Sequence, residues 1–497
     1  MLARNLGGSA NVVAGMRRGT HRPVARRVCA GGAAFLAVLP MAAAAGALSP
    51  SAPRTVPGSR ASTPSPYFFG DDPAVAVGTD GTVAVAFSHL APVRRVDTPT
   101  RLRDALDRRT ILVAVRRPGG HWLRTQTVSR PGAAHPQVVV DAHGGVLVVW
   151  VAPACARRPQ PASGCLGMLG GLHARSLSST GRWGQIMTLA RNTSEGLGGP
   201  PPPSVALGPH GAATIAYIGA RPRKSPSGAW VGYGGYAVQR RADGRFGRPL
   251  ALPKLGGELV AAIDDAGHAY VAGTRAEPGE NRPAVYVSAR GRTGGWHTGS
   301  RVSAIPGSKP RLPVASDGQV VVAWIGARFE SDHLEYGPVL AALAKPGGRR
   351  FSAPRQISDV SYTRAVRVVA GSAGETLVSW SNAPEFGQPG RGLSYAVRQT
   401  GGHFGSPQTV ADTPPGNAID DGAIVTLRGG LGLWFSQHPF GARGGLVLAS
   451  RTPTGDFSAS RPIASERWQR AVTAASPSIA AAVGQRQRVL RIVAVRP

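Results

Sequence analysis

The feature that most constrains this chain is a repeated phrase of two valine-rich runs around a short turn, such as PQVVVDAHGGVLVVW at 136–150. The phrase returns about every 50 to 70 residues. Short runs rich in β-branched residues and bounded by Gly, Asp and Pro predict strands rather than helices. The phrase opens each of seven full repeats and one partial repeat. Its copies lie at 73–87, 136–150, 203–217, 258–273, 310–324, 365–380, 420–435 and 477–495, the last of them partial.

Each full copy continues into a second half, in which a strand, a Gly-rich turn, an aromatic residue and a short strand follow one another, as in YAVQRRADGRFGRPLAL at 236–252. Four strands in two tight hairpins are typical of a β-propeller blade. The aromatic after the turn is present in all seven copies: Trp122, Trp183, Phe246, Trp296, Phe351, Phe404 and Phe457. A second aromatic ends the second strand in six copies: Phe87, Trp150, Tyr217, Trp324, Trp380 and Trp434, with Gly273 as the exception.

The predicted fold class is therefore all-β, a β-propeller of four-stranded antiparallel blades over residues 67–497. One blade is too small to bury both of its faces, so we expect the aromatics to fill the gaps between neighbouring blades. We expect seven blades, with the partial copy at 477–495 pairing with strands near 65–70 to close the ring. The alternative is eight blades, the last one reduced.

The N-terminus has the pattern of an export signal. Arginines including Arg17, Arg26 and Arg27 precede an apolar, alanine-rich region at 28–49. We predict a signal peptide over residues 1–47 and a disordered Pro/Ser linker over residues 48–66. An uncleaved membrane anchor is the competing interpretation. With cleavage, the protein is secreted or cell-surface (extracytoplasmic) and keeps no membrane span.

Two cysteines bracket a short Pro-rich loop, Cys155 and Cys165 in CARRPQPASGC. In an exported protein such a pair predicts a local disulfide. No histidine lies close to them in the sequence, so they do not indicate a zinc site, and we expect no metal and no cofactor.

The charge of +31 comes almost wholly from arginine, since the chain has four lysines, Lys224, Lys254, Lys309 and Lys345. The arginines are scattered rather than gathered in runs, so we expect no specific nucleic-acid partner. A net positive field favours an anionic polysaccharide or a surface protein as partner. We expect a monomer.

Long connections between the second and third strands predict where a ligand binds. In an up-and-down blade the first and third turns lie on one face, here called the trim face, and the long second connections lie on the other, the loop face. Variable loops on a rigid scaffold commonly carry binding sites. The predicted ligand-binding residues on the loop face are Arg94, Arg328, Glu330, Asp332, Glu335, Tyr336 and Arg364.

The turn-and-aromatic half of the repeat resembles the Asp-box hairpin of the sialidase-like, bacterial neuraminidase repeat (BNR) propellers. The matching stretches are RTGGW at 292–296, TGRW at 180–183 and ADGRF at 242–246. They keep the glycine and the aromatic, whereas the Ser and Thr of the box are largely replaced and only Asp243 falls near its aspartate. The resemblance implies the propeller fold. It also implies that a sialidase would need three carboxylate-gripping arginines, a tyrosine nucleophile with a glutamate, and an acid.

Two functions follow from these observations. The first is an exported, non-catalytic scaffold that binds a glycan, a cell-wall polymer or a protein through the loop face. The alternative is a sialidase-like glycoside hydrolase. The first is favoured because the acid–base residues are not concentrated in one motif and the Arg-Ile-Pro signature of sialidases is absent; RLP at 311–313 lies inside a first strand.

Overall fold

The computed structural model describes residues 49–51, 54–59, 73–89, 108–152, 169–194, 202–220, 233–276, 283–326, 328–330, 333–358, 363–370, 374–382, 392–412, 417–427, 430–439, 444–450, 457, 461–468, 471–476, 479–486 and 489–496. Residues 45–497 form one compact unit. The described part is all-β, apart from a 3₁₀ turn at Pro209–Gly211. It contains no helix long and apolar enough to cross a membrane.

Two short strands come first, followed by the strands of the first four sheets, each antiparallel with its strands in sequence order. The leading strands are β1 (Ser49–Pro50) and β2 (Arg54–Thr55). Sheet 1 has β3 (Ala74–Val77), β4 (Val83–His89), β5 (Thr110–Arg116) and β6 (Gln126–Thr127). Sheet 2 has β7 (Ala134–Val140), β8 (Val146–Ala152), β9 (Leu169–Leu177) and β10 (Met187–Ser194). Sheet 3 has β11 (Ser204–Leu207), β12 (Ala213–Ala220), β13 (Tyr233–Arg240) and β14 (Leu250–Leu252). Sheets 2 and 3 are joined by one bridge, in which Thr193 of β10 pairs with Gly219 of β12. Sheet 4 has β15 (Leu259–Ile263), β16 (Ala269–Ala276), β17 (Pro283–Arg290) and β18 (Ser300–Arg301).

The second half of the chain repeats this plan, with one inserted hairpin. Sheet 5 has β19 (Gly307–Arg311), β20 (Val320–Gly326), β23 (Val339–Ala344) and β24 (Arg355–Gln356), and the hairpin between its second and third strands is β21 (Arg328–Glu330) and β22 (His333–Tyr336). Sheet 6 has β25 (Thr363–Ala370), β26 (Thr376–Asn382), β27 (Gly392–Arg398) and β28 (Gln408–Asp412). Sheet 7 has β29 (Asn417–Leu427), β30 (Gly430–Pro439), β31 (Gly444–Ser450) and β32 (Arg461–Trp468). Sheet 8 has β33 (Ala471–Ser476), β34 (Ile479–Arg486) and β35 (Val489–Arg496), with β1 and β2 both paired to β35.

The core lies in the seams between consecutive sheets. Described clusters of buried apolar side chains join sheets 1 and 2, 2 and 3, 3 and 4, 4 and 5, and 5 and 6. Another cluster joins sheet 8 to sheet 1, and sheet 7 contacts both of its neighbours. Central strands such as β12 and β20 are buried along their whole length. This cyclic order of antiparallel sheets, with apolar clusters in the described seams, is consistent with a β-propeller.

The expectation that the repeated aromatics fill the gaps between sheets is confirmed for those with described side chains. Trp150, Trp324 and Trp380 are at most 1% exposed and lie in the seam clusters. The exception at Gly273 also has a packing reason. A Cβ there would lie 2.5 Å from Leu259 Cδ2, so the leucine occupies the space that an aromatic fills elsewhere.

Sheet 8 is closed by the N-terminal segment. Ser49 pairs with Arg496, and Arg54 pairs with Ile492. Val56 is fully buried in the seam between sheets 8 and 1. The partial repeat thus pairs with residues inside the segment expected to be a disordered linker, because that segment carries an apolar side chain the seam can bury. The segment near 65–70, which was expected to supply the partner strand, lies outside the described residues.

In several sheets a serine just after the fourth, outer strand forms a hydrogen bond with the third strand. The side-chain oxygen of Ser303 accepts a hydrogen bond from the backbone N–H of Val285, at 2.8 Å. Ser129 accepts from Ile111 and Ser358 accepts from Val339 in the same way. All three serines are buried, so each hydroxyl satisfies a strand N–H that water does not reach.

A buried carboxylate organises the first turn of sheet 4. Asp264 is 3% exposed and caps the turn, since its Oδ1 accepts the backbone N–H of His268 at 2.7 Å. Its Oδ2 lies 2.8 Å from His268 Nδ1 and accepts from the Tyr270 hydroxyl at 3.5 Å. Burial, and then the charge of Asp264, raise the pKa of Tyr270 to about 12.

We expect Ser303→Ala to lower the free energy of unfolding by about 1–3 kcal/mol, because the Val285 N–H is left buried without a partner. The measurement is a denaturant titration followed by tryptophan fluorescence. Ser300→Ala, at an exposed position of the same outer strand, is the matched control and should change little. Equal effects of the two substitutions would contradict the role of the hydroxyl.

We expect alkaline pH to destabilise the fold partly through Tyr270. Its folded pKa of about 12 exceeds the unfolded value of about 10. The neutral phenol therefore stabilises the folded state below about pH 10, and that contribution is lost as the pH rises from about 10 to about 12. In Tyr270→Phe, the fall in melting temperature across this range should be smaller than in the parent chain. An unchanged fall would show that Tyr270 does not contribute.

Candidate functional site

The predicted ligand-binding residues divide by where the structure places them. Arg94 and Asp332 lie outside the described residues, as do Cys155 and Cys165, so the disulfide stays a prediction. The other five lie on the backbone of the inserted hairpin and of the adjoining strand: Arg328 and Glu330 in β21, Glu335 and Tyr336 in β22, and Arg364 in β25.

The hairpin brings four of these residues onto two paired strands. Arg328 pairs directly with Tyr336, and Glu330 pairs with His333, with a register shift between the two pairs. β22 contacts β20 of sheet 5 and β25 of sheet 6. The hairpin therefore lies at the loop-face end of the seam between sheets 5 and 6, beside the strand that begins at Thr363 and Arg364.

Below the hairpin, this seam contains polar groups without partners. Ser308 Oγ, Thr363 Oγ1 and Trp380 Nε1 are buried atoms with no hydrogen-bond partner in the described structure. Thr363 is fully buried and Trp380 is 1% exposed. A buried polar group without a partner costs about 1–3 kcal/mol, so such groups in a folded protein call for a ligand, an ordered water or a functional explanation.

The strand register places these three groups on the facing surfaces of sheets 5 and 6. Ser308 is directly opposite Ile325, which belongs to the apolar cluster of this seam. Directly opposite residues of antiparallel strands share a face, so Ser308 lies on the side of sheet 6.

The corresponding surface of sheet 6 carries the other two groups. Trp380 is in the same seam cluster. Thr363 pairs with Asn382, two residues beyond Trp380. Because side chains alternate along a strand, Thr363 and Trp380 lie on the same surface, towards sheet 5.

The trim-face end of the same seam is built differently. There the buried Arg398 donates through Nη2 to Asp317 Oδ2 at 3.2 Å and through Nη1 to the Gly374 carbonyl at 3.2 Å. These bonds join the first turns of sheets 5 and 6. The loop-face end has hydroxyl and indole groups in place of such a latch, and it can offer two hydroxyls and one N–H donor to a polar ligand.

The sequence indicated a long connection where the hairpin lies, but neither its two strands nor the polar groups beneath it were predicted. Trp380 was expected only to fill a gap between sheets, which accounts for its ring but not for its indole N–H. Ser308 and Thr363 stand at the loop-face ends of their strands, where a hydroxyl residue is ordinary. Only the strand register shows that they face the same seam.

Comparison with known proteins identifies no family. No family model matches the chain, and no curated protein matches it. Among solved structures, it is similar to a protein of unknown function from Dyadobacter fermentans, with 13% identity, 74% of this chain and 95% of that chain covered, and a TM-score of 0.40. It is also similar to an ulvan lyase, a polysaccharide lyase, with 11% identity, coverage of 80% and 92%, and a TM-score of 0.44. It is similar as well to a Trypanosoma rangeli sialidase, with 12% identity, 77% of this chain and 56% of that chain covered, and a TM-score of 0.39.

We expect Thr363→Val to leave the free energy of unfolding unchanged or to raise it by up to about 1 kcal/mol, because valine has the shape of threonine without the unpartnered hydroxyl. Thr214→Val is the matched control. Thr214 is equally buried, but its Oγ1 is hydrogen-bonded to the Gln239 side chain, so its replacement should destabilise by about 1–3 kcal/mol. Chemical denaturation of both variants is the measurement. A loss at Thr363 as large as at Thr214 would mean that the Thr363 hydroxyl has a partner in solution.

Proposed function

We propose that this chain is an exported, non-catalytic β-propeller that binds a glycan, a cell-wall polymer or a surface protein at the loop-face end of the seam between sheets 5 and 6. The observation that carries the proposal is the set of buried, unpartnered groups Ser308 Oγ, Thr363 Oγ1 and Trp380 Nε1 beneath the hairpin. A ligand rich in hydroxyl or amide groups would form hydrogen bonds with these three groups, which would explain why they are buried without partners in the protein.

The sequence of the hairpin adds charged residues of both signs to these neutral groups. It carries Arg328, Glu330 and Glu335, and Arg364 follows Thr363 directly in β25. Both arginines belong to the predicted binding set and would favour a ligand with carboxylate or sulfate groups. The net charge of +31 acts in the same direction over longer distances.

In this proposal the propeller has eight blades, and β1 and β2 complete the eighth. Support comes from the pairing of both strands with β35 and from the seam cluster that joins sheet 8 to sheet 1. Joining the N-terminal segment to the last sheet ties the two ends of the propeller together. Export by the signal peptide at 1–47, the disulfide Cys155–Cys165 and a monomeric state belong to the same proposal.

A sialidase-like glycoside hydrolase is the second candidate, and one observation favours it. Glu335 and Tyr336 are adjacent in β22, and Tyr336 pairs across the hairpin with Arg328. A tyrosine with a neighbouring glutamate and arginines is the combination that the sialidase resemblance implies. The two candidates differ in a single measurable outcome, which is substrate turnover.

The test measures binding and turnover on the same preparations. Full-length protein is sedimented with insoluble bacterial peptidoglycan and is assayed with a fluorogenic sialoside and a fluorogenic glucuronide. We expect saturable binding without turnover, and about tenfold weaker binding for Arg364→Gln, which removes one charge-assisted hydrogen bond. Arg350→Gln, an exposed arginine on the third turn of sheet 5, is the matched control and should bind as the parent does.

The outcomes separate the candidates. Turnover that Tyr336→Phe abolishes would establish the hydrolase and overturn the non-catalytic scaffold. Equal weakening by the Arg364 and Arg350 substitutions would mean that binding reflects net charge and that the seam is not the site. Absence of saturable binding would overturn the choice of a wall polymer as the ligand.

A further inference from the structure

A second site lies on the outer side of the seam between sheets 5 and 6, away from the hairpin. A groove of about 550 Å³ runs between the outer strand of sheet 5 and the third turn of sheet 6. This volume falls in the range of small-ligand sites. Its polar lining includes Arg355, Gln356 and His403, and its apolar lining includes Leu343, Phe404 and Pro407.

Comparison with sheet 2 shows which side-chain contacts are missing beside the groove. In both sheets the backbone N–H after the turn aromatic donates to a carbonyl of the third strand: Gly184 to Ser176 in sheet 2 and Gly405 to Val397 in sheet 6. The residues that precede these two acceptors are therefore equivalent. They are Arg175 in sheet 2 and Ala396 in sheet 6.

Arg175 fills the corresponding space in sheet 2. Its Nε donates to the Gly184 carbonyl at 2.8 Å, and its Nη1 lies 3.5 Å from the Thr127 carbonyl of sheet 1. Its guanidinium also lies over the Trp183 ring, 5.4 Å from the centroid. Ala396 has neither the length nor the donors to make these contacts.

The sheet edge beside the groove is poorly suited to pairing with a peptide strand. β24 pairs through Arg355 and Gln356 with β23, and the Ile357 N–H donates to the Val339 carbonyl. Because inward and outward backbone groups alternate along a strand, Pro354 occupies an outward position, where it has no N–H to donate. A proline on an edge strand disfavours strand addition. The groove must therefore recognise its ligand mainly through side chains.

The side chains define the chemistry of that ligand. Arg355 contributes a guanidinium, and no carboxylate is present among the residues that line the groove. Gln356, His403 and Ser406 supply further hydrogen-bonding groups, whereas Phe404 and Leu343 supply apolar surface. A sugar with a carboxylate or sulfate has a matching set, since its anionic group suits a guanidinium, its hydroxyls suit amides and serines, and its C–H face suits an aromatic ring.

We propose that this outer groove binds an acidic sugar unit of an anionic polysaccharide, with Arg355 holding the acidic group and Phe404 lying against the ring. The outer groove and the hairpin site share no residues, so a negative result for one site does not decide the other.

The test is calorimetric titration of the full-length chain with tetragalacturonate, with cellotetraose as the neutral sugar and a tetraglutamate peptide as the non-sugar polyanion. We expect tetragalacturonate to bind saturably and both comparison ligands to bind at least tenfold more weakly. Arg355→Gln should weaken binding about tenfold through loss of a charge-assisted hydrogen bond. Phe404→Leu should weaken it severalfold.

Arg350→Gln is the matched control, because this exposed arginine precedes the same outer strand but does not line the groove. Arg355 is also exposed, so its substitution should change binding without changing folding. Arg355→Gln therefore tests the site even if Phe404→Leu lowers the melting temperature. Equal weakening by Arg350→Gln and Arg355→Gln would overturn the proposal in favour of diffuse charge attraction. Tetraglutamate binding that equals tetragalacturonate binding would overturn the assignment to a sugar, and a lack of saturable tetragalacturonate binding would overturn the site.

Discussion

The inability of a single four-stranded sheet to shield both of its faces from water governs this structure. Burial of apolar surface stabilises by roughly 25 cal/mol per Å², and an isolated sheet forgoes it on at least one face. Here β12 and β20 are buried along their entire length because a neighbouring sheet covers each side. The last sheet needs the same cover, and its β35 obtains extra strands from β1 and β2 at the other end of the chain. The seams are thus the core.

Packing in the seams leaves the sheet ends to be secured by hydrogen bonds, and the chain repeats a few devices for this. Buried serines such as Ser303 satisfy third-strand N–H groups. Arginines at the ends of third strands bond to turn carbonyls, as Arg240 does to Gly211 and Arg398 to Gly374. Part of the arginine content therefore has a structural use, which weakens any inference from net charge alone to a polyanionic partner.

Strands and seam aromatics were predictable from the sequence because both follow a short period that packing enforces locally. Which N-terminal strands close sheet 8 was not predictable from the sequence, since β1 and β2 are two residues long and carry no pattern of alternation. Their neighbour Ser59 bonds to Leu490 across 431 residues of sequence, a pairing that only the assembled ring specifies. Within the candidate site, the hairpin residues followed from loop length. The facing of Thr363 and Ser308 depends on register and bulges, which the sequence pattern does not determine.

The seam between sheets 5 and 6 combines a groove on its outer side with buried polar groups that have no partner in the described structure. On its outer side a groove lies between the outer strand of sheet 5 and the third turn of sheet 6, and Ala396 makes none of the hydrogen bonds that Arg175 makes in sheet 2. At the loop face, buried hydroxyls and an indole N–H have no partner. Each such group costs about 1–3 kcal/mol, a cost that the continuous apolar packing between Ile325, Val378 and Trp380 can offset. Apolar packing in the middle of the seam can thus hold the two sheets together while polar groups at one end lack partners and a groove stays open on the outer side.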